Sequence, residues 1–200
     1  MMNTYKGLPL YRAEIIDIDE GILDISLVEN PATKQDFVLF QEQERVEFSV
    51  LDESKHIISG VVMSADTPIY RRSPRLGEFY ILFSKELIQK MVEKMSREGR
   101  FNLVTLNHED ELVEGVTLIE LFLKDSEKGI NPSYLQDVPE GSLIASYKVE
   151  NPTIWNQIKS GEFKGFSLSG FFSMMPDKKE DELDAILDLL DQVEAKYFRK

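Results

Sequence analysis

The chain has 200 residues, 42% of them hydrophobic, a formal net charge of −13 and no cysteine, which is enough apolar material for one ordinary core with room for an appended arm. The missing thiol excludes a cysteine nucleophile, a disulfide framework and a zinc ribbon, and the negative charge argues against a general nucleic-acid binder or docking on anionic lipid. No apolar run approaches the ~20 residues of a membrane span, and Met1-Met2-Asn3-Thr4-Tyr5-Lys6 lacks a long apolar stretch, so no signal peptide is expected and the protein is expected to work in a cytoplasm.

The first third reads as strands. Tyr11 to Ile18 and Ile22 to Val28 flank the turn signal Asp19-Glu20-Gly21. Pro31, in Glu29-Asn30-Pro31-Ala32, breaks the second strand because proline lacks a donor and restricts the residue before it. Asp36 to Phe40 is a short apolar run, and Gln41 to Arg45 reads as a surface link. Val46 to Leu51 and His56 to Met63 surround Asp52-Glu53-Ser54-Lys55 as a hairpin. Thr67 to Gly77, with two prolines and three arginines, reads as an exposed loop, and Glu78 to Phe83 as a strand.

Lys85 to Arg97 is predicted to be a helix capped by Ser84 and stopped by Gly99, with Leu87, Ile88, Met91, Val92 and Met95 on one face. Asn102 to Leu106 and Val116 to Leu123 are strands around an acidic loop. Ser126 to Gly141 is a long connection, and Leu143 to Val149 another strand. A second helix runs from about Pro152 to Lys159, capped by Asn151, and Phe163 to Met174 is a strand. The tail, Lys179 to Phe198, has Leu183, Ile186, Leu187, Leu190, Val193 and Tyr197 at helical spacing with acids opposite.

Many strands against three helices predict a β-rich α+β fold: a small, mostly antiparallel β-barrel or curled sheet with peripheral helices. Residues 1–45 are expected as a strand segment packing on the barrel, 46–175 as the core, and 176–200 as an acidic amphipathic helix.

Two segments carry chemistry. His108, in Asn107-His108-Glu109-Asp110, follows a strand, and an imidazole with a pKa of about 6.5 suits proton transfer at neutral pH. The plainer reading is a loop histidine in a solvated acidic turn. Ser167 lies in Lys164-Gly165-Phe166-Ser167-Leu168-Ser169-Gly170, where alternation puts Ser167 and Ser169 on one face and Phe166 and Leu168 on the other. The plainer reading is a strand whose small-residue face packs under a helix. A serine hydrolase needs a third group to orient its imidazole, and Asp110, Glu120 and Asp125 are acidic candidates. Glu120 sits inside the apolar run Val116 to Leu123, where a carboxylate needs a partner or a solvent-facing side. His56, on a predicted strand, reads more simply as an edge histidine. His108-Glu109-Asp110 offers metal-ligand types, but adjacent side chains point apart and no second histidine cluster completes a site. No glycine-rich phosphate loop is present either, so no metal and no cofactor are expected.

Six segments, in this order and spacing, resemble one family: Ile25-Ser26-Leu27-Val28-Glu29-Asn30-Pro31-Ala32, Asp36-Phe37-Val38-Leu39-Phe40, Gly77-Glu78-Phe79-Tyr80-Ile81-Leu82-Phe83-Ser84-Lys85-Glu86, Asn107-His108-Glu109-Asp110, Asp125-Ser126-Glu127-Lys128-Gly129 and Lys164-Gly165-Phe166-Ser167. The family is the XkdF-like phage prohead serine proteases, and the resemblance covers most of residues 10 to 173. It implies a fold like that of herpesvirus assemblin, with 46–175 as the protease core. It implies a Ser/His endopeptidase that trims scaffold or major capsid protein inside the immature phage head, in the host cytoplasm. On that pattern Ser167, not Ser169, is the nucleophile and His108 the base. Assemblin-type enzymes use a second histidine as third member, but His56 lies upstream of both residues here. An acid is therefore favoured, with Glu120 ahead of Asp125 and Asp110. The implied partners are scaffold and capsid protein, with a homodimer as an option and no nucleic acid or membrane. The alternative is a catalytically inactive structural or scaffold component of the head.

Overall fold

A computed structural model describes residues 2–16, 20–28, 49–52, 54–107 and 111–177. In chain order the elements are β1 (Thr4–Tyr5), β2 (Leu8–Glu14), β3 (Gly21–Val28), β4 (Ser49–Asp52), β5 (Ile57–Met63), β6 (Ile69–Ser73), β7 (Gly77–Leu82), α1 (Lys85–Arg97), β8 (Val104–Leu106), β9 (Val116–Leu123), β10 (Leu143–Val149), α2 (Pro152–Lys159), β11 (Gly165–Phe171) and β12 (Ser173–Pro176). The Asp36–Phe40 run, the Gln41–Arg45 link, the His108–Asp110 loop and the Lys179–Phe198 tail lie outside the described residues.

The strands form three sheets. One runs β1-β2-β7-β6, with β12 also paired to β2; one runs β4-β5-β10-β9; the third runs β11-β3-β8. Most pairs are antiparallel, but β2 runs parallel to β7 and β3 parallel to β8. The described residues therefore confirm a β-rich fold with mixed sheets and two α-helices, but not the closed, assemblin-like barrel expected from the sequence. Each sheet ends in edge strands, and β11 runs close to β5 while its ladder partner is β3.

Both helices follow from their ends and their apolar spacing. Ser84 Oγ accepts from the Leu87 N–H at 3.2 Å, and Leu87, Ile88, Met91 and Met95 fill one buried stripe. Gly99 takes a φ of +67°, which closes the helix at little steric cost. Asn151 Oδ1 accepts from the N–H groups of Thr153 and Ile154 at 3.0 and 3.2 Å, and Pro152 occupies the first turn, where no donor is required. These helices pack Met91, Met95, Ile154 and Trp155 into a core shared with Ile25, Leu27, Phe79 and Tyr147.

Two local expectations change. The Thr67–Gly77 stretch is not a loop: Ile69–Ser73 is β6, antiparallel to β7, and the Arg71 side chain is buried. Its prolines, Pro68 and Pro74, flank the strand and leave every ladder donor intact. The Phe163–Met174 strand is two strands. After β11 the chain breaks at Phe172, and β12 crosses to pair Ser173 with Glu14 on β2. The described parts of the N-terminal segment are thus woven into two sheets, through β2 and β3.

Tyr147 is the one buried side chain among the described residues with an unpartnered polar atom, its hydroxyl. Burial, with a smaller contribution from the negative charge of Asp24, raises its pKa well above the ordinary phenol value. A buried hydroxyl without a partner carries its full desolvation cost. Tyr147→Phe is therefore expected to stabilise the fold by about 1 kcal/mol in urea unfolding. A loss of stability in that variant would show that the hydroxyl is satisfied in solution.

Candidate active site

Ser167 lies in the three-stranded sheet, in a row that crosses all three strands. Antiparallel pairing sets Ser167 opposite Ser26 and Ser169 opposite Asp24. Parallel pairing sets Ser26 opposite Thr105. Residues opposite one another in a sheet share a face, so Ser167, Ser26 and Thr105 form one row of hydroxyls, and Ser169 and Asp24 the next. The other face is apolar: Phe166, Ile25, Leu27 and Val104 join the main core, and the Phe166 ring lies 5.2 Å from that of Tyr147. The alternation read in Phe166-Ser167-Leu168-Ser169 is present.

A bulge sets the phase on β3. The register slips between Ser169 and Gly170, so that Gly170 meets Ile22 and Leu23 is the extra residue. The slip turns Ile22 onto the core side with Ile25 and Leu27, although strict alternation would place it with Asp24. Asp24 and Ser26 are left on the hydroxyl face.

That face is largely covered. Ser26, Thr105 and Ser167 are buried, the last 5% exposed, and Asp24 is half-buried. A covered carboxylate needs donors, and three hydroxyls lie within hydrogen-bond distance of Asp24 Oδ1: Ser26 Oγ at 3.1 Å, Thr105 Oγ1 at 3.0 Å and Ser169 Oγ at 3.2 Å. Ser26 Oγ and Thr105 Oγ1 lie 2.5 Å apart, and with one proton each, one of the two donates to the other and the other to Asp24. One carboxylate thus joins hydroxyls from β3, β8 and β11.

His108 and Asp110 lie outside the described residues. The residue before them, Asn107, adds one more bond to the sheet, its N–H to the Leu27 carbonyl at 2.9 Å, and then turns with a φ of +47°. Glu120 is on β9, in the four-stranded sheet. Its Oε2 accepts from Ser146 Oγ at 2.6 Å, and Ser146 Oγ lies 2.9 Å from Ser59 Oγ, itself 3.1 Å from the Tyr134 hydroxyl. Asp125 is in an exposed turn, bonded to the Lys128 side chain at 2.5 Å and its N–H at 3.0 Å. Those bonds hold its carboxyl below the usual carboxylate range. His56 stacks on Trp155 with ring centroids 4.4 Å apart, and its Nδ1 lies 3.2 Å from the Val149 carbonyl. Arg71, on β6, is buried and gives a hydrogen bond to the Tyr70 carbonyl. Among the described residues no group of three or more His, Asp or Glu side chains could hold a metal ion.

Sequence reasoning missed Asp24. The signal was there, a carboxylate and a serine alternating with apolar residues in Asp24-Ile25-Ser26-Leu27, but its partners lie on β8 and β11, far along the chain.

No curated protein and no solved structure matches the chain. A family model described as "putative phage serine protease XkdF" matches residues 45–175, a stretch that includes Thr105, His108, Glu120 and Ser167 and leaves out Asp24 and Ser26. With well over half of its length so matched, the chain belongs to the family of the phage serine protease XkdF.

Proposed function

We propose that the protein is a prohead endopeptidase in which Ser167 is the nucleophile and His108 the general base. Ser167 Oγ attacks the scissile carbonyl carbon while His108 takes the hydroxyl proton. His108 then delivers that proton to the leaving amine, leaving an acyl ester on Ser167 that water hydrolyses by the reverse relay. Substrates are the scaffold and major capsid proteins inside the immature head, with a homodimer as a possible working form.

The observation that carries the reading is the placement of Ser167 in a row of hydroxyls that runs from β11 across β3 to β8. Its hydroxyl shares a row with Thr105, and the chain leaves β8 through Asn107 directly into the His108 segment. The in-sheet neighbours of Ser167 on that face are hydroxyls and a carboxylate. A helical cover over a small-residue face, the plainer reading of the segment, supplies no reason for a half-buried acid there.

A fluorophosphonate probe tests the proposal. The purified, folded protein is expected to take up one probe, mapped by peptide mass spectrometry to Ser167 and not to Ser169. Folded protein that stays unlabelled, or labels at another serine, sinks the assignment.

A further inference from the structure

We infer that Phe171 is a specificity-determining residue of the Ser167 site, receiving a bulky apolar side chain of an extended polypeptide substrate about four residues along from the residue that lies over Ser167. The inference rests on the protease reading above and deepens it by naming the class of substrate.

Alternation sorts the large apolar side chains of β11. Phe166 is part of the main core and Leu168 packs against it, whereas Phe171 belongs to neither set and is 44% exposed. The extra residue at the bulge, Leu23, is on β3, so the alternation of β11 itself runs on unbroken. Ser167, Ser169 and Phe171 therefore project from one face, and Phe171 stands about 13 Å from Ser167, four residues at about 3.3 Å each. Exposure along this row rises from the buried Ser167 through the half-buried Ser169 to Phe171, so the covered face opens toward Phe171. The neighbouring strands leave room at that end. Phe171 is paired with Gly21, which brings no side chain, and β8 pairs only with Ile25, Ser26 and Leu27, so the third strand stops short of it.

An extended chain running along β11 has the same rise per residue as the strand and turns every second side chain toward it. With one substrate residue over Ser167, the side chain two residues on lies over Ser169 and the one four residues on lies over Phe171. A slip by one residue would present the opposite set, so the pattern carries a register. At Ser169 the surface is a hydroxyl bonded to Asp24, which suits a small or polar side chain. At Phe171 it is an exposed aromatic ring, and covering that ring with Leu, Ile, Met or Phe removes apolar surface from water on both sides. A contact so far from the reacting atoms binds ground state and transition state alike, so it acts on KM rather than on kcat. The substrate class is an extended polypeptide that carries a small or polar residue and then a bulky apolar one at alternate positions on one side of the cut.

The test uses the full chain and a library of peptides from a digested bacterial proteome, with the cuts mapped by mass spectrometry. Wild-type cuts are expected to be enriched in Leu, Ile, Met or Phe at one position about three to five residues from the cut, on one side only. Phe171→Ser is expected to lose that enrichment and Phe171→Leu to keep it. Phe171→Glu is expected to turn it toward Lys and Arg, a new preference that misfolding does not produce. For a single library peptide with the apolar residue in place, Phe171→Ser should raise KM by about tenfold with kcat held within about twofold. Thermal unfolding checks each variant, and if Phe171→Ser does not fold, Phe171→Leu and Phe171→Glu decide. Wild-type cuts without an apolar preference at those positions overturn the inference, as does a preference that survives unchanged in Phe171→Ser or Phe171→Glu. Failure of the protease reading looks different: the wild-type protein would neither cut the library nor take up a fluorophosphonate at Ser167.

Discussion

Ser167→Ala is expected to abolish cleavage of co-expressed scaffold and capsid protein, with kcat falling by roughly a millionfold, as when the nucleophile is removed from other Ser/His enzymes. The size of the effect follows from the chemistry. Without Oγ there is no acyl ester, and what is left is binding and oxyanion stabilisation acting on water. The fold should tolerate the change. Ser167 is buried on the hydroxyl face and Ala fits in its space, so the stability cost is that of a hydrogen bond, about 1 kcal/mol. Ser169→Ala removes one hydroxyl bonded to Asp24 and should leave most of the activity. Gel analysis of heads assembled with each variant reads the result directly. Heads that mature normally with Ser167→Ala would instead favour the structural alternative, a head component retained in many copies.

Much of this architecture is legible in the sequence because it depends on local rules. The ends of α1 and α2 are read from Ser84, Gly99, Asn151 and Pro152, and their buried stripes from residues three and four apart. The faces of β11 are read from simple alternation. Features that depend on distant partners are not legible. The β6 strand is hidden by two flanking prolines, and only its pairing with β7 makes sense of a buried Arg71. The crossing from β11 to β12 depends on β2, more than 150 residues away in the chain. Closure of a barrel is a global property of strand count and register, and no local pattern encodes it. At the site Ser167 is visible as a serine between glycines. Asp24 escapes because it is recognisable only from its neighbours on β8 and β11. Glu120 drew attention for the opposite reason, as a lone acid in a regular apolar run, and it proves to serve a hydroxyl cluster of its own.

Lys124→Met is expected to cost about 2–4 kcal/mol of folding stability, the scale of leaving buried carbonyls unpaired. Lys124 follows β9 directly, with its side chain only 4% exposed. Its Nζ donates to the carbonyls of Leu135, Gln136 and Val138 at 3.0, 3.2 and 2.5 Å, and lies 3.6 Å from Glu140 Oε1. One ammonium therefore satisfies three carbonyls of the long connection between β9 and β10. Methionine fills the same volume but supplies no donor, so those carbonyls must find water or stay unpaired. The loss propagates because the same connection is anchored at its far end. Gly141 has a φ of +80° and packs so closely on Lys85 that an added Cβ would lie 2.4 Å from the lysine Cβ, so the loop end sits against the start of α1. Loosening the carbonyl cluster should free residues 125–141 first, seen as faster amide exchange there than in β9 or β10, with the urea midpoint falling in parallel. A stability change under 1 kcal/mol would mean that the desolvation cost of the ammonium already cancels its three bonds, and that the connection is held by the Asp125–Ile130 backbone pairing and the Ser126–Glu140 contacts instead.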